Sequence, residues 1–210
     1  MDTIISFLPF RPEQIDVCLE FANTVHWHAS DQPEDKLHTY ADLVKWAREQ
    51  GLVMANEAKA LIDMGDQQPR EASESLQRAV DLREAIYRVF FAQTHGQRPA
   101  QTDLNEINAA LSKNLAKSQV VSSSDGFQWR WVVDGANFDQ MLGPIALAAA
   151  NLLTSGELLS RVGQCADDRG CGWLFLDRSK NHSRQWCDIN DCGNRAKQKR
   201  HYERKQRKNR

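Results

Sequence analysis

The chain has 210 residues, 41% of them hydrophobic and 26% charged, which is enough for one larger domain plus a small module. No apolar run approaches the ~20 residues of a membrane helix. The start, MDTIISFLPF, has neither the basic residues nor the cleavage site of a secretory signal, so the expectation is a cytoplasmic protein with no membrane partner. The formal net charge of −1 conceals a dipole: residues 161–210 hold 14 Lys/Arg against 6 Asp/Glu, net +8, and the remainder holds 13 against 22, net −9. That asymmetry points to an anionic partner for the C-terminal end.

In chain order, the first 155 or so residues read mainly as helices. Thr39, with Asp42 three residues on, forms a capping box ahead of YADLVKWAREQ, and Gly51 suits the stop. Leu43, Val44 and Ala47 make its apolar stripe. Asn56 is the expected cap of a shorter helix running through Met64. Pro69 opens a long helix in which Leu76, Ala79, Val80, Ile86, Val89 and Phe90 recur near a 3.6 period, ending by Gly96. Thr102 is the expected cap of the next, with Leu104, Ile107, Leu111 and Leu115 turned inward.

The period then changes. Gln119–Ser122 and Phe127–Val133 flank Ser123-Ser124-Asp125-Gly126, and Phe127, Trp129, Trp131 and Val133 alternate with Gln128, Arg130 and Val132. This predicts a β-hairpin with one buried face. Asn137 to Thr154 is helical again, with Pro144 at a first turn or kink. The expected fold is α+β and mostly α. A helical domain with one β-hairpin occupies residues 1–158, and a small C-terminal module occupies 159–210, each with its own core.

That module carries four of the five cysteines, spaced Cys165-x5-Cys171-x15-Cys187-x4-Cys192. In a reducing compartment so tight a cluster favours a metal over disulfides. Four thiolates close a tetrahedral zinc site against water, which makes it structural. Trp173–Leu176 reads as a strand and Arg184–Trp186 as its return, with Asp177–Asn181 as the polar turn between them. A hairpin with Cys at each base and a helix starting near the fourth Cys is treble-clef-like. A unit this small draws its folding free energy from the metal.

From Cys192 the chain reads CGNRAKQKRHYERKQRKNR, with nine Lys/Arg and one acid between Gly193 and Arg210. Such a run is often only a solvated tail. Here it is phased onto a rigid metal site, and Arg195, Lys199 and Tyr202 share one helical face. Gly193 offers a close backbone approach suited to a phosphate oxygen. DNA is the expected partner, through Gly193, Asn194, Arg195, Lys197, Lys199, Arg200 and Arg204.

These residues carry a resemblance. The Cys165/Cys171 pair, Trp173–Asp177, Arg184–Cys187 and Cys192-Gly193-Asn194-Arg195-Ala196-Lys197 resemble the CGNR zinc-finger family. Upstream, Leu19–Val25, Tyr40–Ala47 and Leu82–Ile86 resemble the ABATE domain that accompanies this finger. The resemblance implies a two-part, stress-related transcription regulator with a DNA-contacting finger. Its four zinc ligands fall on Cys165, Cys171, Cys187 and Cys192. The first knuckle is a residue longer than the family pattern leads one to expect.

Other chemistry is thinner. His26 and His28 flank Trp27, and with Cys18, Asp31 or Asp35 they suggest a second metal site, against the plainer reading as packing or surface groups. Asn23, Thr24 and Trp27 are candidates for the pocket of a small-molecule effector; the competing reading is a polar network holding the first element to the core. No Walker loop, dinucleotide fingerprint, HExxH or nucleophile elbow is present, so no enzyme is expected. Two alternatives to DNA stand: an RNA-binding or ribosome-associated protein using the same finger, and a zinc-stabilised protein–protein module whose basic tail stays solvated or folds back on the acidic upstream domain.

Overall fold

The structure is a computed structural model that describes residues 14–123, 126–131 and 137–208. In chain order the helices are α1 (Val17–Ala22), α2 (Tyr40–Glu49), α3 (Ala55–Gln67), α4 (Pro69–Thr94), α5 (Gln101–Leu115), α6 (Leu142–Thr154), α7 (Gly156–Leu159) and α8 (Asn194–Lys208). Three antiparallel pairs of strands accompany them: β1 (Val25–His26) with β2 (Glu34–Asp35), β3 (Ser118–Ser123) with β4 (Gly126–Trp131), and β5 (Val162–Gln164) with β6 (Leu174–Leu176). No helix among the described residues is long and apolar enough to cross a membrane.

The helix signals are largely met. The Thr39 hydroxyl accepts from Asp42 N while the Asp42 carboxylate accepts from Thr39 N, which satisfies two orphan donors at the start of α2. Pro69 stands at the start of α4, where its missing N–H costs nothing. Gly51 (φ 70°) and Gly96 (φ 65°) take the left-handed conformation just past α2 and α4. Two expected caps differ. α3 begins at Ala55 because the Glu57 carboxylate reaches back to Met54 N, so Asn56 lies inside the helix. α5 begins at Gln101, placing Thr102 in its first turn without a capping bond.

α4 is the central element. It buries Ala79, Leu82, Ala85, Ile86, Val89 and Phe90 against Leu19 and Phe21 of α1, Leu43 and Val44 of α2, and Ile145, Ala149 and Leu152 of α6. The segment entering α6 is held by Asp139, which takes Arg78 in a fork (2.9 Å), Lys113 (2.7 Å) and the Ser75 hydroxyl (2.8 Å). Burial alone would raise the Asp139 carboxyl, but the bonds from Arg78, Lys113 and Ser75 outweigh it and hold the group below the ordinary carboxylate range.

The expected hairpin β3–β4 forms, paired from Ser118 opposite Trp131 to Ser123 opposite Gly126, so the strands meet closer to the turn than Ser122 and Phe127. The buried face does not extend to Phe127, which is 82% exposed, nor to Val120 at 60%. Both side chains stand largely in solvent. The side chains of Trp129 and Trp131, together with Ser124, Asp125 and Val133, lie outside the described residues.

The largest difference from expectation concerns the join between the two parts. Val162, Leu174 and Leu176 are buried in the same apolar cluster as α1, α2, α4 and α6, so β5–β6 shares the upstream core, while Cys165, Cys171 and Cys192 form a second cluster with Trp27, Trp173 and Trp186. Burying side chains of this size contributes about 1.5–3 kcal/mol each. Asn23, at the end of α1, then acts as a strand edge. Its Nδ2 donates to Leu174 O (2.8 Å) and its Oδ1 accepts from Leu174 N (2.9 Å), so both backbone groups on that side of β6 are satisfied.

Candidate metal centre and basic helix

β6 pairs with β5, just ahead of Cys165, and not with the returning segment Arg184–Trp186, which forms no strand. That segment touches the first knuckle through Ala166 N donating to Gln185 O (2.8 Å). The turn before it is closed by Asp177, whose carboxylate accepts from Ser179 N (2.8 Å) and Arg184 N (2.9 Å).

The four thiols converge. All four sulfurs lie within 4.8 Å of one another, with Cys171 to Cys187 at 3.7 Å and Cys187 to Cys192 at 3.6 Å. Zinc–sulfur bonds of ~2.3 Å in a tetrahedron put sulfurs ~3.8 Å apart, so the cluster fits one zinc ion with four protein ligands and no open position. Cys165, Cys171 and Cys192 are buried, and Trp27, Trp173 and Trp186 pack around them. No other group of three or more His, Cys, Asp or Glu among the described residues gathers this way.

The knuckle after Cys165 is shaped by contact with the upstream domain. Gly170 (φ 89°) and Gly172 (φ 69°) both have backbones that L side chains rarely adopt. A Cβ on Gly170 would lie 2.7 Å from Ser30 Cα, and one on Gly172 would lie 2.7 Å from Ala29 N. The Tyr87 hydroxyl of α4 donates to Gly172 O (3.2 Å) and accepts from Gln164 Nε2 (3.1 Å). Trp27, itself left-handed at φ 54°, reaches over the seam and carries the guanidinium groups of Arg169 and Arg195 at 5.3 Å each.

Arg195 is the hinge of the arrangement. It donates to Cys192 Sγ (2.9 Å), to Asp167 (3.4 Å) and to Asp191. Such an outer contact orients a thiolate ligand and offsets the negative charge of a four-thiolate zinc site. Asp167 is buried. Desolvation would raise its carboxyl, but the side-chain and backbone bonds from Arg169 outweigh that and hold it well below the carboxylate range. One turn on, Lys199 pairs with Asp168, and Arg200 lies 5.7 Å over the Trp186 ring.

This geometry divides the expected contact residues into two groups. The face bearing Arg195, Lys199 and Tyr202 is turned toward the acidic knuckle, with Asp167 and Asp168 as counter-ions. Gly193 is buried: its N–H donates to Asp188 O (3.0 Å), and a Cβ would press on Ile189 Cδ1 at 2.9 Å, so it is a packing glycine without a free donor for phosphate. Asn194, Lys197 and Arg204 are exposed on α8, and neither Lys197 nor Arg204 has an ion-pair partner among the described residues.

The proposed pocket residues are drawn into the protein's own bonding. Asn23 pairs with Leu174, Thr24 Oγ1 donates to Phe21 O (2.8 Å), and Trp27 lies on the cysteine cluster. The histidines do not form a second metal site. His28 stacks on Tyr87 at 3.5 Å and bonds Glu84 (3.1 Å), while His26 meets Trp173 edge-on. Trp27 breaks the extended path that would have aimed both to one side. Cys18 is wholly buried, and desolvation pushes its thiol far up. Sequence reasoning missed Asp167 and the seam; the glycines Gly170 and Gly172 were its only trace.

Compared with known families, residues 16–156 match ABATE, described as "Putative stress-induced transcription regulator", and residues 161–205 match the CGNR zinc finger. Comparison with curated proteins gives no match.

Proposed function

The chain belongs to the ABATE family and ends in a CGNR zinc finger, and from that premise we propose that it is a transcription regulator that binds DNA through α8. The observation that carries the reading is the pairing of a metal-fixed helix start with exposed, unpaired cations further along the same helix. Lys197, Arg204 and Lys205 are all exposed and without ion-pair partners among the described residues. The zinc ion is structural: it fixes where α8 begins and which way it faces, and it activates nothing. Arg195, Lys199 and Arg200 set the helix on its base, and the remaining cations meet phosphate.

The upstream domain fits a rigid support. Asn23 and Trp27 brace the finger, and a small-molecule effector would have to act elsewhere or by opening this seam. The protein-partner alternative draws on a specific observation, the exposed Val120 and Phe127 of the β3–β4 hairpin.

Duplex binding by the zinc-loaded full chain, measured by fluorescence anisotropy at ~50 and ~200 mM salt, tests the proposal. Each phosphate contact releases counterions and steepens the log–log salt dependence by about 0.9. The triple substitution Lys197→Ala, Arg204→Ala, Lys205→Ala is expected to flatten it by about 2–3 units. Unchanged affinity in that variant would move the interface off α8. Tighter binding to single-stranded RNA than to duplex DNA would favour the RNA alternative, and no affinity for either at ~50 mM salt would favour the protein partner.

A further inference from the structure

α8 is a 15-residue helix, so it is ~22 Å long and its side chains advance 100° per residue. On that wheel Asn194, Lys197, Gln198, His201, Arg204 and Lys205 fall within about 120° of arc. Arg195, Lys199, Tyr202 and Glu203 fall on the other side, which lines the cleft against Asp167 and Asp168, and Gln198 stands at the rim of that cleft. The outer arc thus carries cations and neutral amides and no acid. Glu203, the one acidic residue of the helix, faces the module. All six outer residues are exposed.

Two of them are amides with hydrogen-bonding capacity to spare. Asn194 Nδ2 donates to Asn190 O (2.9 Å), which leaves its Oδ1 and second amide proton, and Gln198 is exposed one turn further on. They stand four residues apart, hence ~6 Å along the axis, close to the span of two base pairs. Both lie in the first half of a helix whose start is held by the metal site. That half of a recognition helix is the part that meets base edges, with phosphate contacts around it. Carboxamides pair in two-pronged fashion with the N6 and N7 edge of adenine.

Resting on the DNA-binding reading above, we propose that α8 lies in the major groove of duplex DNA by its outer arc, with Asn194 and Gln198 as base readers that select adenine. Lys197, Arg204 and Lys205 hold the flanking phosphates. Arg195, the arginine at the fourth position of the CGNR motif, is a positioning residue that contacts no base. The wide groove of B-form DNA admits such a helix, whereas the deep, narrow major groove of A-form RNA does not.

The test uses the zinc-loaded full chain and a pool of randomised DNA duplexes. Selection is expected to enrich adenine at two positions about two base pairs apart. Against the enriched duplex, Gln198→Ala and Asn194→Ala are each expected to weaken binding about 5- to 150-fold while leaving a scrambled duplex unaffected. Lys197→Ala with Arg204→Ala is expected to weaken both duplexes alike. Asn194 lies at the helix start, so zinc content and helical signal are measured for each variant, and Gln198→Ala carries the test if Asn194→Ala perturbs them. Discrimination that survives Gln198→Ala in a zinc-loaded, folded protein overturns the proposal. So does selection without adenine at these positions, or equal affinity for an A-form RNA duplex. Failure to bind any duplex DNA sinks the underlying reading instead, which is a distinct result.

Discussion

The two main hairpins of this protein invert the usual relation between length and embedding. β3–β4 pairs six residues with six, yet Val120 and Phe127 stand in solvent. β5–β6 pairs only three with three, yet Leu174, Phe175 and Leu176 are all buried. The ladder is not what differs, because an isolated two-stranded hairpin is marginal in water at any ordinary length. The short pair has something to lie on: α1 on one side, a metal site at its end, and the Asn23 amide replacing a third strand. Val120 and Phe127 of the long pair have no such cover.

The strongest way to break the contrast is to remove the metal. Chelation, or Cys187→Ser, is expected to release one zinc per chain and disorder the knuckles and the start of α8. Because β5–β6 shares the main core, the upstream helices are expected to melt at a lower temperature as well. Metal analysis together with thermal unfolding followed by far-UV circular dichroism reads both, and an unchanged upstream transition would mean the shared core carries little weight. Next in size is Asn23→Ala. It leaves Leu174 N and O buried without partners, at about 1–3 kcal/mol per group, measurable by urea denaturation. Asn23→Asp does not rescue it, since a carboxylate cannot donate to Leu174 O.

Acid sharpens the comparison from within the core. The Asp139 carboxyl is depressed in the fold, so its contribution is present above the unfolded value of ~3.9 and is lost as pH falls through the folded value below it. Asp139→Asn is expected to cost about 1–3 kcal/mol at neutral pH and to flatten the stability–pH curve below pH ~4. A smaller effect on folding, but a clear one on metal, is expected from Arg195→Lys. The lysine cannot both stack on Trp27 and bond Cys192, and competition with a chromophoric chelator should show zinc held ~10–100-fold less tightly. The least effect is expected from Phe127→Ser, within ~0.5 kcal/mol, as nothing packs on that ring. A large loss there would mean that a partner covers the hairpin.

What the sequence disclosed follows the same division. Signals written locally were legible: the Thr39–Asp42 box, Pro69 at a helix start, Gly51 and Gly96 at helix ends, and the four ligands Cys165, Cys171, Cys187 and Cys192. The β3–β4 hairpin was legible from its alternation, but what faced it was not. β5 is three residues long with no alternation, and its partner lies beyond two of the metal ligands, so no local pattern announced it. The role of Arg195 was hidden for a related reason. Counting charge marks it as a cation for DNA, while Asp167, 28 residues earlier, and Trp27, in another domain, already hold it.

The bond pair between Asn23 and Leu174 joins residues 151 positions apart. A ribosome adds 5–20 residues per second, so roughly 8–30 s separate the synthesis of one from the other. Within that interval α4 and α6 are made and can already cover the apolar face of α1, but the Asn23 amide has no strand to pair with and bonds to water. The seam on α1 is therefore closed only by the last quarter of the chain. A nascent chain stalled before Leu174 leaves exposed the part of the core on which Leu174 and Leu176 would lie.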